Sequence, residues 1–505
     1  MAEALRQADG DNQAAWVFSL FVLFAIPAFF LITYNSGYGY DQLEYLVIGR
    51  SLADGYSLYY WIPSKSFGIY AFVAVLYRLG VSFGHCSDAL VITLLFLIMV
   101  VATYKVVRAA EGASSGAIAA VLVAFCAVFM ELTFLEPEVF VYLFGLAAYY
   151  VLVNKPANTA SIFLAGLALG AGMDFKSVAA FYAFGAAFFL LLAAFRTDRM
   201  TTFFFFWMPA LLGGFVVSCG IPALYFALTG RWEPFWRWSV TFPLFNFPRN
   251  SIYLYVLYTK LLFIHLIIIG GILVSLRPAL RSYIYSDEHA VLALCMGAFS
   301  YLALLKTQAS HYCFPGAAFF CIFVSIVITK ALSLLTRALK LKSWQVGFGG
   351  LAAVALVVMS ASLYRPGKLK VLFSVRDYAA DEGVIERSPL FTVPAGKHVL
   401  ITAPGKDVRW YWLAHRYPPP PFVDMDQKTA WFLRHRPEVV FGGLDDPDLV
   451  LVEFNPKDPA MDDPGFGASA EDRVLWERLS KELEKRFVPF HQEPDGKVFW
   501  RRASQ

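Results

Sequence analysis

The chain has 505 residues, 58% of them hydrophobic and 16% charged, with a formal net charge of +4. A soluble domain is about half apolar and a quarter charged, so this composition excludes an ordinary soluble enzyme. So small and scattered a charge also excludes a nucleic-acid partner. The six cysteines (Cys86, Cys126, Cys219, Cys295, Cys313 and Cys321) show no Cys-x-x-Cys or metal-ligand spacing.

A hydrocarbon core of roughly 30 Å requires about 20 apolar residues per span. In chain order such runs fall at 14–34, 88–107, 115–134, 140–154, 159–174, 178–195, 202–228, 254–276, 288–306, 312–330 and 344–363. The first lacks a small-residue cleavage site and is read as a retained span, not a removed signal peptide. With the N-terminus cytoplasmic, the inner loops hold Lys105 and Arg108, Lys155, Arg196 and Arg199, Arg277 and Arg281, then Arg337, Lys340 and Lys342. Basic residues close to each inner helix end are what the positive-inside rule expects. The opposite face collects Asp41, Glu44, Glu136, Glu138, Asp174 and Glu233. Residues 35–87 form the longest loop between spans, and within it 45–52 and 67–79 are apolar but too short to cross. They suit helices lying in the interface.

A breaker cluster at 364–367 closes the membrane part. Beyond it come short β-rich runs at 398–402, 449–454 and 498–500, a charged helical pattern over 470–486 and a stiff polyproline turn at 418–421. The expected fold class is a polytopic α-helical membrane protein of about eleven transmembrane helices, with a C-terminal soluble α/β domain. Residues 1–365 form the membrane domain, including the external loop 35–87, and 366–505 the external domain. No glycine-rich phosphate loop, HExxH or GxSxG motif occurs.

Chemistry concentrates just after the first span. Asp41 and Glu44 are three residues apart and share one face of a helix beginning near Asp41, which would serve as its N-cap. An acidic pair at a cavity mouth can accept a proton from a sugar hydroxyl or hold a cation. On spacing alone, plain helix capping in a loop is the favoured explanation of the pair. The external segment from Arg231 to Asn250, with Glu233 and Arg237, is dense in tryptophan, phenylalanine and arginine. It reads either as a wall on which sugar and phosphate are bound or as an aromatic belt at the membrane surface.

The run from Gly37 through Asp41, Glu44 and Tyr45 continues through Gly55-Tyr56 to Pro63-Ser-Lys65 and Gly68-Ile-Tyr70. It resembles the first external loop of the GT-C glycosyltransferases that use polyprenyl-phosphate sugars. These include lipid A aminoarabinose transferases, rhizobial galacturonic acid transferases and protein O-mannosyltransferases. Lys65 is present, but the two prolines that follow the lysine in those proteins are not. The segment holding Glu136 and Glu138 resembles their second acidic motif. Asp174-Phe-Lys176 resembles a segment whose lysine faces the donor phosphate. The stretch from Lys306 through His311 and Tyr312 to Pro315 resembles a late motif that usually begins with arginine. These matches span roughly residues 14–330, in matching order and on one membrane face.

The resemblance implies an inverting transferase acting on the periplasmic side, with a polyprenyl-phosphate sugar as donor and a lipid-linked glycan such as lipid A or lipopolysaccharide core as acceptor. It assigns Asp41 as general base. It gives Glu44, Glu136 and Glu138 to orienting the acceptor or holding a divalent cation, the one cofactor this reading admits. Lys65, Lys176, Lys306, His311, Tyr312 and Arg237 would bind the donor phosphate. Two other classes share the prenyl-linked donor: an oligosaccharide ligase or polymerase, and a lipid-linked sugar transporter. Few ionisable residues lie deep in the spans and no inverted repeat is evident, which argues against transport.

Overall fold

The computed structural model describes residues 2–36, 40–56, 58, 66–130, 132–155, 158–237, 239, 241, 252–302, 310–339, 389–394, 397–401, 411, 417–418, 427–454, 469–492 and 498–503. The chain divides into two compact units. One comprises Met1–Gly37, Gly84–Trp232 and Leu244–Val375, the other Tyr38–Phe83, Glu233–Pro243 and Arg376–Gln505.

The first unit is helical. Its elements are α1 (Ala2–Ser36), α4 (His85–Glu111), α5 (Ala113–Phe129), α6 (Pro137–Asn154), α7 (Thr159–Phe175), α8 (Ala179–Arg196), α9 (Met200–Thr202), α10 (Met208–Leu228), α12 (Ile252–Ser275), α13 (Pro278–Tyr285), α14 (Glu288–Tyr301) and α15 (Phe314–Leu339). A π-helical turn of four phenylalanines and Trp207 joins α9 to α10, and Phe204, Phe205 and Phe206 are exposed. So are Trp16, Leu23 and Phe24 of α1 and Val216, Ile221 and Leu228 of α10. Apolar surface on this scale is tolerable only where lipid replaces water. The protein is therefore an integral membrane protein.

At the centre lies α5, a helix rich in alanine and other small residues, buried along nearly its whole length and packed against α1, α4 and α15. Small side chains let helix backbones come close where no water drives them together. Gly112, with φ +87°, turns the chain between α4 and α5 in a backbone conformation that a side chain would strain. The tightest contact joins α7 to α10. A Cβ on Gly166 would sit 2.2 Å from the Leu211 carbonyl oxygen, and one on Gly214 would sit 2.1 Å from that of Phe163. Gly214→Val is therefore expected to force the pair apart, at a cost of about 1–3 kcal/mol or more. The loss should be visible as reduced heat tolerance of the detergent-extracted protein. A variant as robust as wild type would mean the two helices do not touch here.

The described parts of the first ten expected spans are largely helical, and the count of eleven is not confirmed. Among the described residues six helices are long and apolar enough to cross a bilayer, or seven if the pair Ile264–Ser275 and Pro278–Tyr285, bent by 99°, is one broken span. α5 and α7 have 17 residues each, which at about 1.5 Å per residue stops just short of a roughly 30 Å core. The eleventh expected run, 344–363, lies outside the described residues, as do the breaker cluster at 364–367 and most of the polyproline turn.

The second unit contains α2 (Tyr40–Ala53) and α3 (Phe67–Arg78), which pack on each other, and most of the short α11 (Trp232–Trp236). Helices occur where the two short apolar runs of the first external loop predict them. Its C-terminal part has β1 (His398–Ile401), β2 (Leu449–Phe454), β3 (Phe487–Gln492), β4 (Val498–Arg502), α16 (Gln427–His435), α17 (Pro437–Gly443) and α18 (Ala470–Glu484). The sheet order is β1-β2-β4-β3, with β1 and β2 parallel and the other pairs antiparallel. One face is covered by a core of Phe432, Leu433, Phe441, Phe454, Trp476 and Leu483. The three expected strands and the charged helix are all present. β3 escapes a sequence reading because it is an exposed edge strand carrying Pro489, which an edge tolerates.

Candidate functional site

In the second unit α2 begins at Tyr40, so Asp41 lies inside its first turn and does not serve as the N-cap. The helix is expected from its composition: Leu43, Leu46, Val47 and Ile48 are all buried, and glycine stands outside both ends of the stretch. Asp41 is half-buried, whereas Glu44, one turn on, is 3% exposed. Burying a carboxylate requires a strong donor, and Tyr70 of α3 supplies it: its hydroxyl donates to Glu44 Oε1 at 2.6 Å. Tyr70 is itself fully buried and meets Tyr45 edge-on at 5.8 Å. Tyr70→Phe should cost about 1–3 kcal/mol by withdrawing that donor from a buried acceptor. Thermal inactivation of the purified protein measures it, and an unchanged profile would show that Glu44 is held elsewhere.

The last turn of α2 is tied to the C-terminal segment of the same unit. Arg50, 9% exposed, donates from Nε to the Tyr417 hydroxyl at 3.2 Å and from Nη2 to the Tyr411 carbonyl at 3.4 Å. The Tyr417 hydroxyl in turn donates to Asp54. Burial pushes the Tyr417 phenol well above its ordinary pKa; Arg50 opposes the rise and the bond to Asp54 adds to it. Because the folded value is raised, any stability the protonated phenol confers is present below the ordinary tyrosine value. It is lost only as pH rises through the elevated one. Arg237 forms an exposed i,i+4 ion pair with Glu233, an arrangement worth little in water.

In the first unit Glu136 precedes α6, whose first residue is Pro137, and its side chain does not cap that helix. Glu136 is 5% and Glu138 0% exposed. Lys176 closes the C-terminal end of α7 and donates from its ammonium to Glu138 Oε1. The pairing suits both helix dipoles, with the anion in the first turn of α6 and the cation at the end of α7. Tyr312 lies over the ammonium, its ring centre 3.6 Å from Nζ. His311 Nε2 is 3.9 Å from Glu138 Oε1, and a ring nitrogen of His311 lies within 4.8 Å of a Glu136 carboxylate oxygen. A short 3₁₀ turn, Ser310–Cys313, carries both His311 and Tyr312 into this cluster.

Within the first unit, then, five of the expected residues gather: Glu136, Glu138, Lys176, His311 and Tyr312. Within the second, Asp41 and Glu44 share α2. Lys65 and Lys306 lie outside the described residues. Sequence reasoning missed Tyr70, Arg50 and Tyr417. Tyr70 stood in the quoted loop run, but nothing in its spacing revealed a partner 26 residues earlier.

Residues 64–226 match the family model described as dolichyl-phosphate-mannose-protein mannosyltransferase. No curated protein sequence matches the chain significantly. Among solved structures, ArnT from Cupriavidus metallidurans bound to undecaprenyl phosphate is 13% identical, over 97% of this chain and 98% of that one, with a TM-score of 0.58. The same protein in the apo state is 12% identical over 98% of this chain and 100% of its own, again at 0.58. The archaeal oligosaccharyltransferase AglB from Archaeoglobus fulgidus, in complex with an inhibitory peptide and a dolichol-phosphate, is 12% identical over 97% of this chain and 75% of its own, at 0.50. At these identities the likeness to solved structures is one of fold. Over residues 64–226 the chain is thus similar to that transferase family, and over nearly its whole length it shares the fold of ArnT.

Proposed function

We propose that the chain is an inverting glycosyltransferase that moves a monosaccharide from a polyprenyl-phosphate donor to a lipid-linked glycan such as lipid A or the lipopolysaccharide core. It works on the periplasmic face of a bacterial inner membrane, with its C-terminal domain on the same side. The observation that carries the reading is the acidic start of α2, where Asp41 is half-buried and Glu44 is pinned by Tyr70. An ionised carboxylate is a pure acceptor and can take a hydroxyl proton.

In the reaction the acceptor O–H proton passes to Asp41 while the oxygen attacks the anomeric carbon. The bond from that carbon to the phosphate oxygen breaks, and the electron pair leaves with the polyprenyl phosphate, inverting the centre. Negative charge grows on the departing phosphate, so cations near it lower the barrier. Lys65, Lys306, His311 and Arg237 have the chemistry for that work. The Lys176 ammonium is shared with Glu138 and covered by Tyr312, so its part is to keep a buried carboxylate compensated while adding positive potential. Glu136 and His311 offer oxygen and nitrogen donors that suit acceptor hydroxyls or a divalent cation.

The test is transfer of radiolabel from a panel of polyprenyl-phosphate monosaccharides to membrane lipid. Transfer from at least one donor is the expected result. Transfer from none, with folded protein present, would move the reading to an oligosaccharide ligase or a lipid-linked sugar transporter.

A further inference from the structure

α2 holds Asp41 in its first turn and Arg50 in its last, about 13 Å further along the axis at roughly 1.5 Å per residue. A tilt of about 5° at the Arg50 end therefore moves the other end by roughly 1 Å, a displacement that can cost on the order of 100-fold in rate. Whatever fixes the last turn of α2 sets the position of the acidic first turn.

Four contacts converge on that last turn and the residues just after it through one side chain. Tyr417 accepts from Arg50 Nε at 3.2 Å, stacks beneath the guanidinium with 5.0 Å from its carbon to the ring centre, and donates to Asp54 just past the helix. Tyr56 meets the same ring edge-on at 5.4 Å. Tyr417 does not float. Its carbonyl accepts from the Val399 N–H at 3.0 Å, bridging it to the edge of β1. Tyr411, whose carbonyl is the second acceptor for Arg50, is fixed to the same strand, because its hydroxyl accepts from the Ile401 N–H at 2.8 Å. A buried guanidinium with two acceptors, each on a residue hydrogen-bonded to β1, is a rigid joint, since arginine holds a planar fork where lysine would hold a single point charge.

We propose that Tyr417 is a positioning residue: through Arg50 and Asp54 it locks the last turn of α2 to the C-terminal sheet and so sets where Asp41 stands. The inference rests on Asp41 being the base. It gives the C-terminal region a role in turnover without contact to substrate.

Tyr417→Phe tests this with little disturbance, because the ring and its stacking remain while both hydroxyl hydrogen bonds are lost. In proteoliposomes assayed with radiolabelled undecaprenyl-phosphate monosaccharides, kcat is expected to fall about 10- to 100-fold. The KM for donor should stay within about 2-fold, since nothing that meets the donor has changed. Amide hydrogen exchange over residues 43–53 should accelerate in the same variant, reporting the loosened helix directly. Asp54→Asn, which keeps an acceptor for the hydroxyl, should retain most of the turnover, whereas Arg50→Lys should behave like Tyr417→Phe. Wild-type kcat and wild-type exchange in Tyr417→Phe would overturn the proposal, as would a loss confined to KM. If Asp41→Asn keeps full turnover, the base assignment fails by itself. Exchange over 43–53 then still decides whether Tyr417 locks α2.

Discussion

Asp41→Asn is expected to lower sugar transfer about 10²- to 10⁴-fold, the usual contribution of a positioned general base. The substitution is close to isosteric. It leaves α2 with its buried face of Leu43, Leu46, Val47 and Ile48 and leaves the Glu44–Tyr70 bond in place, so folding should be preserved. What disappears is a basic oxygen able to take the acceptor proton. The effect should fall on kcat, with binding of the polyprenyl-phosphate donor nearly unchanged, because an interaction made only in the transition state lowers kcat and kcat/KM together. Steady-state transfer assays over a range of donor concentration separate the two. Normal turnover by folded Asp41→Asn protein would mean that another group takes the proton.

Lys176→Ala should have the largest effect on stability. Removing one partner of a buried ion pair leaves an uncompensated charge and typically costs about 3–5 kcal/mol. Glu138, at 0% exposure in the first turn of α6, would lose the ammonium that now pairs with it, and Tyr312 would lose the cation beneath its ring. The double variant Lys176→Met with Glu138→Gln removes both charges and should recover most of the loss, since no buried charge is left unpaired. Thermal denaturation of wild type, Lys176→Met, Glu138→Gln and the double variant in detergent closes the cycle. If Lys176→Ala were as stable as wild type and only weaker in donor binding, the lysine would be a direct phosphate ligand. The pair with Glu138 would then be incidental.

Membrane character, the position of the helices and the strands β1, β2 and β4 were legible in the sequence, because each rests on local composition. A run of apolar residues is helix in lipid whatever its neighbours are, since backbone groups must be satisfied within the segment. The acidic start of α2 was legible for the same reason: Asp41 and Glu44 are three residues apart, and helix geometry alone puts them on one side. Span number was less so. Hydropathy does not show where a helix ends, and α5 stops at Phe129 although the expected span runs on to 134.

Only the tertiary structure decided what each charged group is doing. From the sequence, Lys176 is a cation free to meet a phosphate; in the fold it is shared with Glu138, 38 positions away, beneath Tyr312. Arg50 is an unremarked helix-end arginine until Tyr417, 367 positions later, is brought against it. Glu44 is half of a symmetrical acidic pair until Tyr70 buries it and leaves Asp41 the more open of the two. The sequence by itself determined the membrane character, the position of most helices and the strands β1, β2 and β4, because those follow from near-neighbour forces and from solvation. Which partner a buried carboxylate such as Glu44 or Glu138 takes follows from pairings between groups far apart in the chain, and these exist only once the chain has folded.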